Sequence, residues 1–155
     1  MSRQLMLVAT LGLAASAAAE TAPAIQPEDG RWGWTAGTAR SSAGCMPGMA
    51  ETLLQLLPQQ KTGLVTFERP FHPRDIIDHP AVQWQQRGPN HFVAVARGAS
   101  LASFPLPLDV EYHLRVQSPT HLHADGTVAL GFPQPCSVSA PFEFRRQAGP
   151  AAPGR

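Results

Sequence analysis

The chain has 155 residues, with 12 Lys and Arg against 11 Asp and Glu, a formal net charge of +1 and two cysteines. This length provides one domain and excludes a second sizeable hydrophobic core. Charged residues make up 15% of the chain, and they form neither the basic stripe of a nucleic-acid-binding protein nor the basic amphipathic helix of a protein bound to a membrane surface.

The first 19 residues have the pattern of a secretory signal peptide. Arg3 provides the initial positive charge, residues 5–13 are apolar, and residues 16–19 place small side chains at the positions that signal peptidase reads. We therefore expect cleavage before Glu20 and a periplasmic or secreted protein. A membrane anchor is the alternative interpretation, but the apolar segment is shorter than the roughly 20 residues that cross a bilayer. No later segment is apolar enough to do so, and we expect no transmembrane segment in the mature chain.

The two cysteines are predicted to form a disulfide. Cys45 and Cys136 lie near the two ends of the folded part of the chain, and an exported protein meets an oxidising compartment. The alternatives are a reactive thiol or a metal ligand. There is no Cys-x-x-Cys motif, and neither cysteine has a neighbouring Lys or His that would lower the pKa of its thiol.

The remaining chain divides into a leader, one domain and a tail. Residues 20–29 are polar and contain prolines, which predicts a flexible leader, and residues 147–155 predict a disordered tail. A single domain is expected over residues 30–146. Its first strand carries Trp32, Trp34 and Ala36 on one face. A short amphipathic helix follows over residues 49–57, with Pro47 near its start and Pro58 at its end.

Alternating apolar and polar residues predict the later strands. These strands cover residues 64–68, 81–86, 91–97, 110–116, 122–132 and 136–144. We interpret residues 122–132 as one unbroken strand whose inner face carries Gly126 and Phe132. With a loop at residues 118–120, this register places His113 opposite Asp125 and Arg115 opposite His123.

The predicted fold class is mostly β. About seven strands form an antiparallel meander with one apolar face, and one short helix follows the first strand. Such a sheet closes into a small barrel or curls on itself, since an isolated apolar face is not stable in water.

The segment Gly30-Arg31-Trp32 resembles the Gly-x-Trp that opens the first strand of lipocalin-type barrels. Those proteins are exported, of similar size and often linked by disulfides, and they bind small apolar molecules. The order of Gly-x-Trp, cysteine and strands is also similar to that of small bacterial exported proteins of unknown role. The lipocalin resemblance implies a ligand site inside the sheet and supplies no catalytic residue.

Two histidine clusters are candidate metal sites. His72 and His79 lie with Asp75 and Asp78 in a proline-rich linker, and His121 and His123 occupy alternate positions of one strand. Imidazole and carboxylate ligands suit Zn²⁺ or Cu²⁺. The alternatives are turn-capping residues in the linker and an ordinary solvated face on the strand.

Enzyme activity has less support. The chain has no Gly-x-Ser-x-Gly, no phosphate-binding glycine loop and no His-Glu-x-x-His, and Asp75 and Asp78 are the one carboxylate pair considered for acid–base catalysis.

The leading hypothesis is non-covalent binding of a small apolar ligand, with Trp34, Trp84 and Tyr112 as candidate wall residues. Two alternatives stay open. One is an envelope structural or protein-interaction module with a filled core and a protein partner, and the other is a histidine-based metal-binding protein. Apart from such a metal, no cofactor is expected.

Overall fold

The computed structural model describes residues 22–56, 60–77, 79–101 and 104–148. The predicted signal peptide and its cleavage site, the end of the predicted tail, Pro58 and Asp78 lie outside the described residues. The secondary-structure elements in chain order are β1 (Gly30–Ala36), β2 (Arg40–Ser41), α1 (Met49–Leu56), β3 (Gln60–Val65), a 3₁₀ turn (Pro73–Asp75), β4 (Gln83–Gly88), β5 (His91–Leu101), β6 (Phe104–Ser118), β7 (His121–Leu130) and β8 (Cys136–Arg146).

The strands form one antiparallel sheet of eight strands in the order β3-β1-β8-β7-β6-β5-β4, with β2 also paired to β8. Strands β4 to β8 are the predicted meander, in which each strand pairs with the next along the chain. β1 lies between β8 and β3, so the beginning and the end of the domain meet within the sheet. The predicted mostly-β fold is confirmed. Of its two predicted forms, the curled sheet is correct and the closed barrel is wrong, because β3 and β4 end the sheet.

A row of aromatic rings crosses the concave side of the curled sheet. Trp32 of β1 contacts Phe67 with ring centroids 5.3 Å apart, Phe67 contacts Phe71 at 5.5 Å, and Phe71 contacts Phe92 of β5 at 5.4 Å. Phe67 and Phe71 belong to the segment between β3 and β4. This row therefore connects β1 and β5, the neighbours of the two edge strands, through side chains where no strand pairing joins them.

The register of the central strands is the predicted one. His113 pairs with Asp125 and Arg115 with His123, and burial alternates along β7 and β8. Gly126 faces the core, where a Cβ atom would lie 2.8 Å from both Cε2 of Phe142 and Cζ of Tyr112. A glycine is required here because the two rings occupy the space of a side chain.

Several strand boundaries differ from the prediction, and two of the differences have a clear local cause. The strand expected over residues 64–68 is β3 and ends at Val65, because the next backbone N–H groups bind carboxylates: Phe67 donates to Asp29 (3.0 Å) and Glu68 to Asp75 (2.8 Å). β7 ends at Leu130. Phe132, predicted to face inward, is 74% exposed, since the prolines that follow it cannot donate to a strand ladder.

The disulfide between Cys45 and Cys136 is present, as predicted. It ties the segment before α1 to the first residue of β8, and it holds the helix against that strand. Leu53 of α1 is fully buried in the core. No helix among the described residues combines the length and the apolar character that crossing a bilayer requires.

Candidate functional site

The concave face of the sheet holds an apolar hollow of about 260 Å³. Its floor is formed by strands β5, β6 and β7, and it is covered by the end of α1 and by the chain before β4. Eight of its lining residues are aliphatic, one is a tyrosine and one is a histidine: Leu56, Ile77, His79, Val82, Ala94, Ala96, Ala99, Val110, Tyr112 and Val128.

The hollow exists because the inner face of β5 carries small side chains. Ala94, Ala96 and Ala99 are all buried and are successive inward positions, the last of them reached through an irregularity in the pairing of β5 with β6. Elsewhere the same concave face carries Leu114 and Phe142, which fill the space beneath them. A methyl group in place of a larger side chain leaves a void that neighbouring side chains fill only in part.

Tyr112 is the candidate wall residue that lies at this hollow. Its side chain is 8% exposed, and burial raises the pKa of its hydroxyl to about 12, so the group is neutral at physiological pH. The ring packs against Phe142 with centroids 5.5 Å apart. Within the part of the chain that the structure describes, no hydrogen bond of the Tyr112 hydroxyl is found.

The other two candidate wall residues line different cavities. Trp84 lies with Phe71 and Phe92 in a larger groove of about 720 Å³, and its indole Nε1 donates to the carbonyl oxygen of Ile77 at 3.3 Å. Trp34 lies beside Phe144, with ring centroids 5.7 Å apart, in a smaller recess of about 190 Å³. The structure therefore does not bring the three residues together.

We select the hollow over the larger groove for its chemistry. The groove is wider, but its walls include the side chains of Gln26, Glu68, Arg69, His72 and Gln86. Charged and amide groups are solvated by water, and covering them with an apolar ligand costs free energy that offsets the gain from apolar contact. The smaller hollow presents almost only apolar surface.

His72 and His79 act as local capping groups. Nδ1 of His72 accepts from the backbone N–H of Arg74, and Nδ1 of His79 accepts from that of Ala81, both at 3.2 Å. Each histidine precedes a proline, so the next N–H available for capping is two residues ahead. The sequence signal that indicates this role is the repeated His-Pro pair, His72-Pro73 and His79-Pro80.

His121 and His123 lie on the outer face of the sheet and share one carboxylate. Nε2 of His121 contacts Oε2 of Glu143, and Nδ1 of His123 lies 2.8 Å from its Oε1. Burial by itself raises the pKa of Glu143, but the hydrogen bonds and charges of the two imidazoles outweigh it and hold the pKa below its ordinary value. The alternation of β8 places Glu143 on the outer face, but its bridging role follows only from the pairing of β7 with β8.

No group of three or more His, Cys, Asp or Glu side chains among the described residues is arranged to hold a metal ion. Of the carboxylate pair considered for catalysis, Asp75 accepts the backbone N–H of Glu68, and Asp78 lies outside the described residues.

The row of small side chains on β5 was not identified from the sequence. The feature that could have indicated it is the sequence Ala94-Val95-Ala96 followed by Ala99, in a strand that also carries the large Phe92 in the core.

No family model, no curated protein and no solved structure matches the chain.

Proposed function

We propose that the chain is an exported binding protein that holds a small apolar molecule, non-covalently, in the hollow between α1 and strands β5 to β7. The observation that carries the proposal is a hollow of about 260 Å³ whose lining is apolar except for His79 and the hydroxyl of Tyr112. Occupying such a space with an apolar molecule removes apolar surface from water on both partners.

The volume of the hollow limits the size of the ligand. A cavity of about 150 Å³ accepts a benzene ring, so a hollow of about 260 Å³ suits one ring with a short chain or a short alkyl chain. A larger molecule would extend beyond the open side of the hollow, where its apolar surface stays in contact with water.

Export is supported by the signal-peptide pattern of residues 1–19 and by the disulfide between Cys45 and Cys136, because stable disulfides are typical of oxidising compartments. The lipocalin resemblance of Gly30-Arg31-Trp32 supports the same proposal, since those proteins are exported binders of apolar molecules. The proposed location is the periplasm or the extracellular medium.

A second candidate function is an envelope interaction module with a protein partner. It is favoured by two large apolar side chains on the surface, Leu64 at 80% exposure and Phe132 at 74%. In this alternative, the hollow is a packing defect, and the exposed apolar residues contact the partner.

The proposal is tested by native mass spectrometry of the mature protein, purified from the cells that export it. We expect a chain that begins at Glu20, is oxidised at Cys45 and Cys136, and carries a bound molecule of one discrete mass. The variant Ala96→Phe places a ring in the hollow and is expected to lose that mass. Ala43→Phe makes the same change in an exposed loop and is expected to retain it.

Three results would overturn the proposal. A bare polypeptide mass in the wild-type protein would favour the interaction module, as would a bound molecule that Ala96→Phe retains. A bound metal ion that disappears in the double variant His121→Ala, His123→Ala would favour the metal-binding alternative.

A further inference from the structure

The hollow contains two polar groups, and both can donate a hydrogen bond. Tyr112 lies in its wall and His79 at its rim, where the side chain of His79 is exposed. The remaining lining residues have only apolar side chains. The chemistry of these two groups therefore decides which polar atom a ligand can bring into the hollow.

The hydrogen bond of His79 determines the position of its ring proton. Nδ1 of His79 accepts the backbone N–H of Ala81 at 3.2 Å, so Nδ1 carries no proton. In the neutral imidazole the single proton is then on Nε2, which makes the outward nitrogen a donor.

The hydroxyl of Tyr112 is also free to donate. The side chain is 8% exposed, and the hydroxyl has no hydrogen bond to any residue within the described ranges. The oxygen is not one of the buried side-chain atoms that lack a partner, so it is accessible to solvent at the open side of the hollow, and a ligand that covers it must replace the hydrogen bond to water. Burial keeps the phenol protonated, with its pKa raised to about 12.

We propose that the hydroxyl of Tyr112 donates a hydrogen bond to the ligand, and that the ligand class is a small apolar molecule with one uncharged acceptor, such as a ketone or ester carbonyl. This inference rests on the proposed function. A carboxylate is disfavoured because the described lining offers no cation to balance a buried negative charge. A purely hydrocarbon ligand leaves the Tyr112 hydroxyl without a partner.

Two probes of similar shape test the inference. Acetophenone is ethylbenzene with a carbonyl oxygen in place of the two hydrogens on the carbon next to the ring, so it has one more heavy atom and one hydrogen-bond acceptor. Their dissociation constants are measured by calorimetry on the full mature protein. The ratio of the two constants is compared between the wild-type protein and Tyr112→Phe, since a ratio cancels any general effect of the substitution on the hollow.

We expect the wild-type protein to bind acetophenone more tightly than ethylbenzene, although ethylbenzene is the more hydrophobic probe. We expect Tyr112→Phe to reduce this preference by about tenfold, the typical loss of one buried hydrogen bond. A control variant, Phe142→Leu, alters the neighbouring ring without touching the hydroxyl and is expected to leave the ratio unchanged.

The outcomes separate this inference from the proposed function. If ethylbenzene binds and the ratio is the same in the wild-type protein and Tyr112→Phe, the assignment of the donor is wrong while the apolar site stands. If the wild-type protein prefers ethylbenzene, the assignment is also wrong, even where Tyr112→Phe fails to fold. If neither probe binds the wild-type protein, the proposed function itself is overturned.

Discussion

Tyr112 and Phe142 pack against each other on the concave side of the sheet, with ring centroids 5.5 Å apart and an angle of 36° between the ring planes. The contact spans two strands, because β7 runs between β6 and β8 and contributes Gly126 beneath the rings. The ring contact lies between the packed part of the core and the hollow. Phe142 is fully buried in the core, and Tyr112 forms part of the wall of the hollow.

Replacing Gly126 is expected to disturb this contact. In Gly126→Ala the added Cβ would lie 2.8 Å from atoms of both rings, so the rings must shift, and we expect a loss of about 1–3 kcal/mol in the free energy of unfolding. Gly63→Ala is the matched control, because a Cβ at this strand glycine meets no atom within 4 Å. Urea unfolding of the two variants checks the prediction, and equal stabilities would contradict it.

Removing the disulfide is expected to destabilise the fold strongly. Cys45 and Cys136 are 91 positions apart, and a cross-link over a long loop restricts the unfolded chain most, which leads us to expect a loss of about 2–4 kcal/mol. The measurement is denaturant unfolding of the double variant Cys45→Ala, Cys136→Ala against the oxidised wild-type protein. Wild-type protein treated with a reductant should behave like the double variant. Unfolding midpoints that do not change would show that the cross-link has no stabilising role.

The carboxylate of Glu143 is expected to make stability depend on acid pH. Its pKa is lower in the folded protein than its ordinary value of 4.5, because His121 and His123 hydrogen-bond the charged form. A lowered pKa gives a stabilisation that is complete above about pH 4.5 and is lost as the pH falls through the folded-state pKa.

We expect Glu143→Gln to be less stable than the wild-type protein at pH 6 and to approach it below pH 4, as followed by urea unfolding across this range. Arg145 also faces the carboxylate at 3.6 Å, so the double variant His121→Val, His123→Val is needed to attribute the effect to the imidazoles. A constant difference between wild type and Glu143→Gln at every pH would refute this account.

We expect the aromatic row across the curled sheet to stabilise the fold, so that removing a ring from the row costs more stability than removing a solvent-exposed ring. Phe71 contacts Phe67 and Phe92 at 5.5 and 5.4 Å, and we expect Phe71→Ala to cost about 2–4 kcal/mol. Phe132→Ala removes the same ring from a site that is 74% exposed and should change stability by less than about 0.5 kcal/mol. Thermal unfolding of both variants provides the comparison, in which similar melting temperatures would argue against the role of the row.

The strand register could be predicted from the sequence because it depends on local alternation. A shift of one residue would bury His123 and Asp125, so the pairing of β6 with β7 followed directly from the pattern. The pairing of β1 with β3 and β8 could not be predicted in this way, because the partners are far apart in sequence and no alternation specifies which edges meet.

The candidate site was predicted only in part. Tyr112 was identified as an inward aromatic residue, but the space beside it depends on Ala94, Ala96 and Ala99, whose small size becomes informative only once the facing elements are known. Trp34 and Trp84 share the inward orientation of Tyr112 and lie in other cavities, because the three residues are on the separate strands β1, β4 and β6.

The account is tested most directly by titrating ethylbenzene into the mature protein and measuring the heat of binding. A phenyl ring needs about 150 Å³, so Ala96→Phe should fill most of the hollow of about 260 Å³. The account predicts saturable binding at one site per chain in the wild-type protein and in Ala43→Phe, and a loss of binding in Ala96→Phe. Binding that persists unchanged in Ala96→Phe, or its absence in the wild-type protein, would contradict the claim that this hollow is a ligand site.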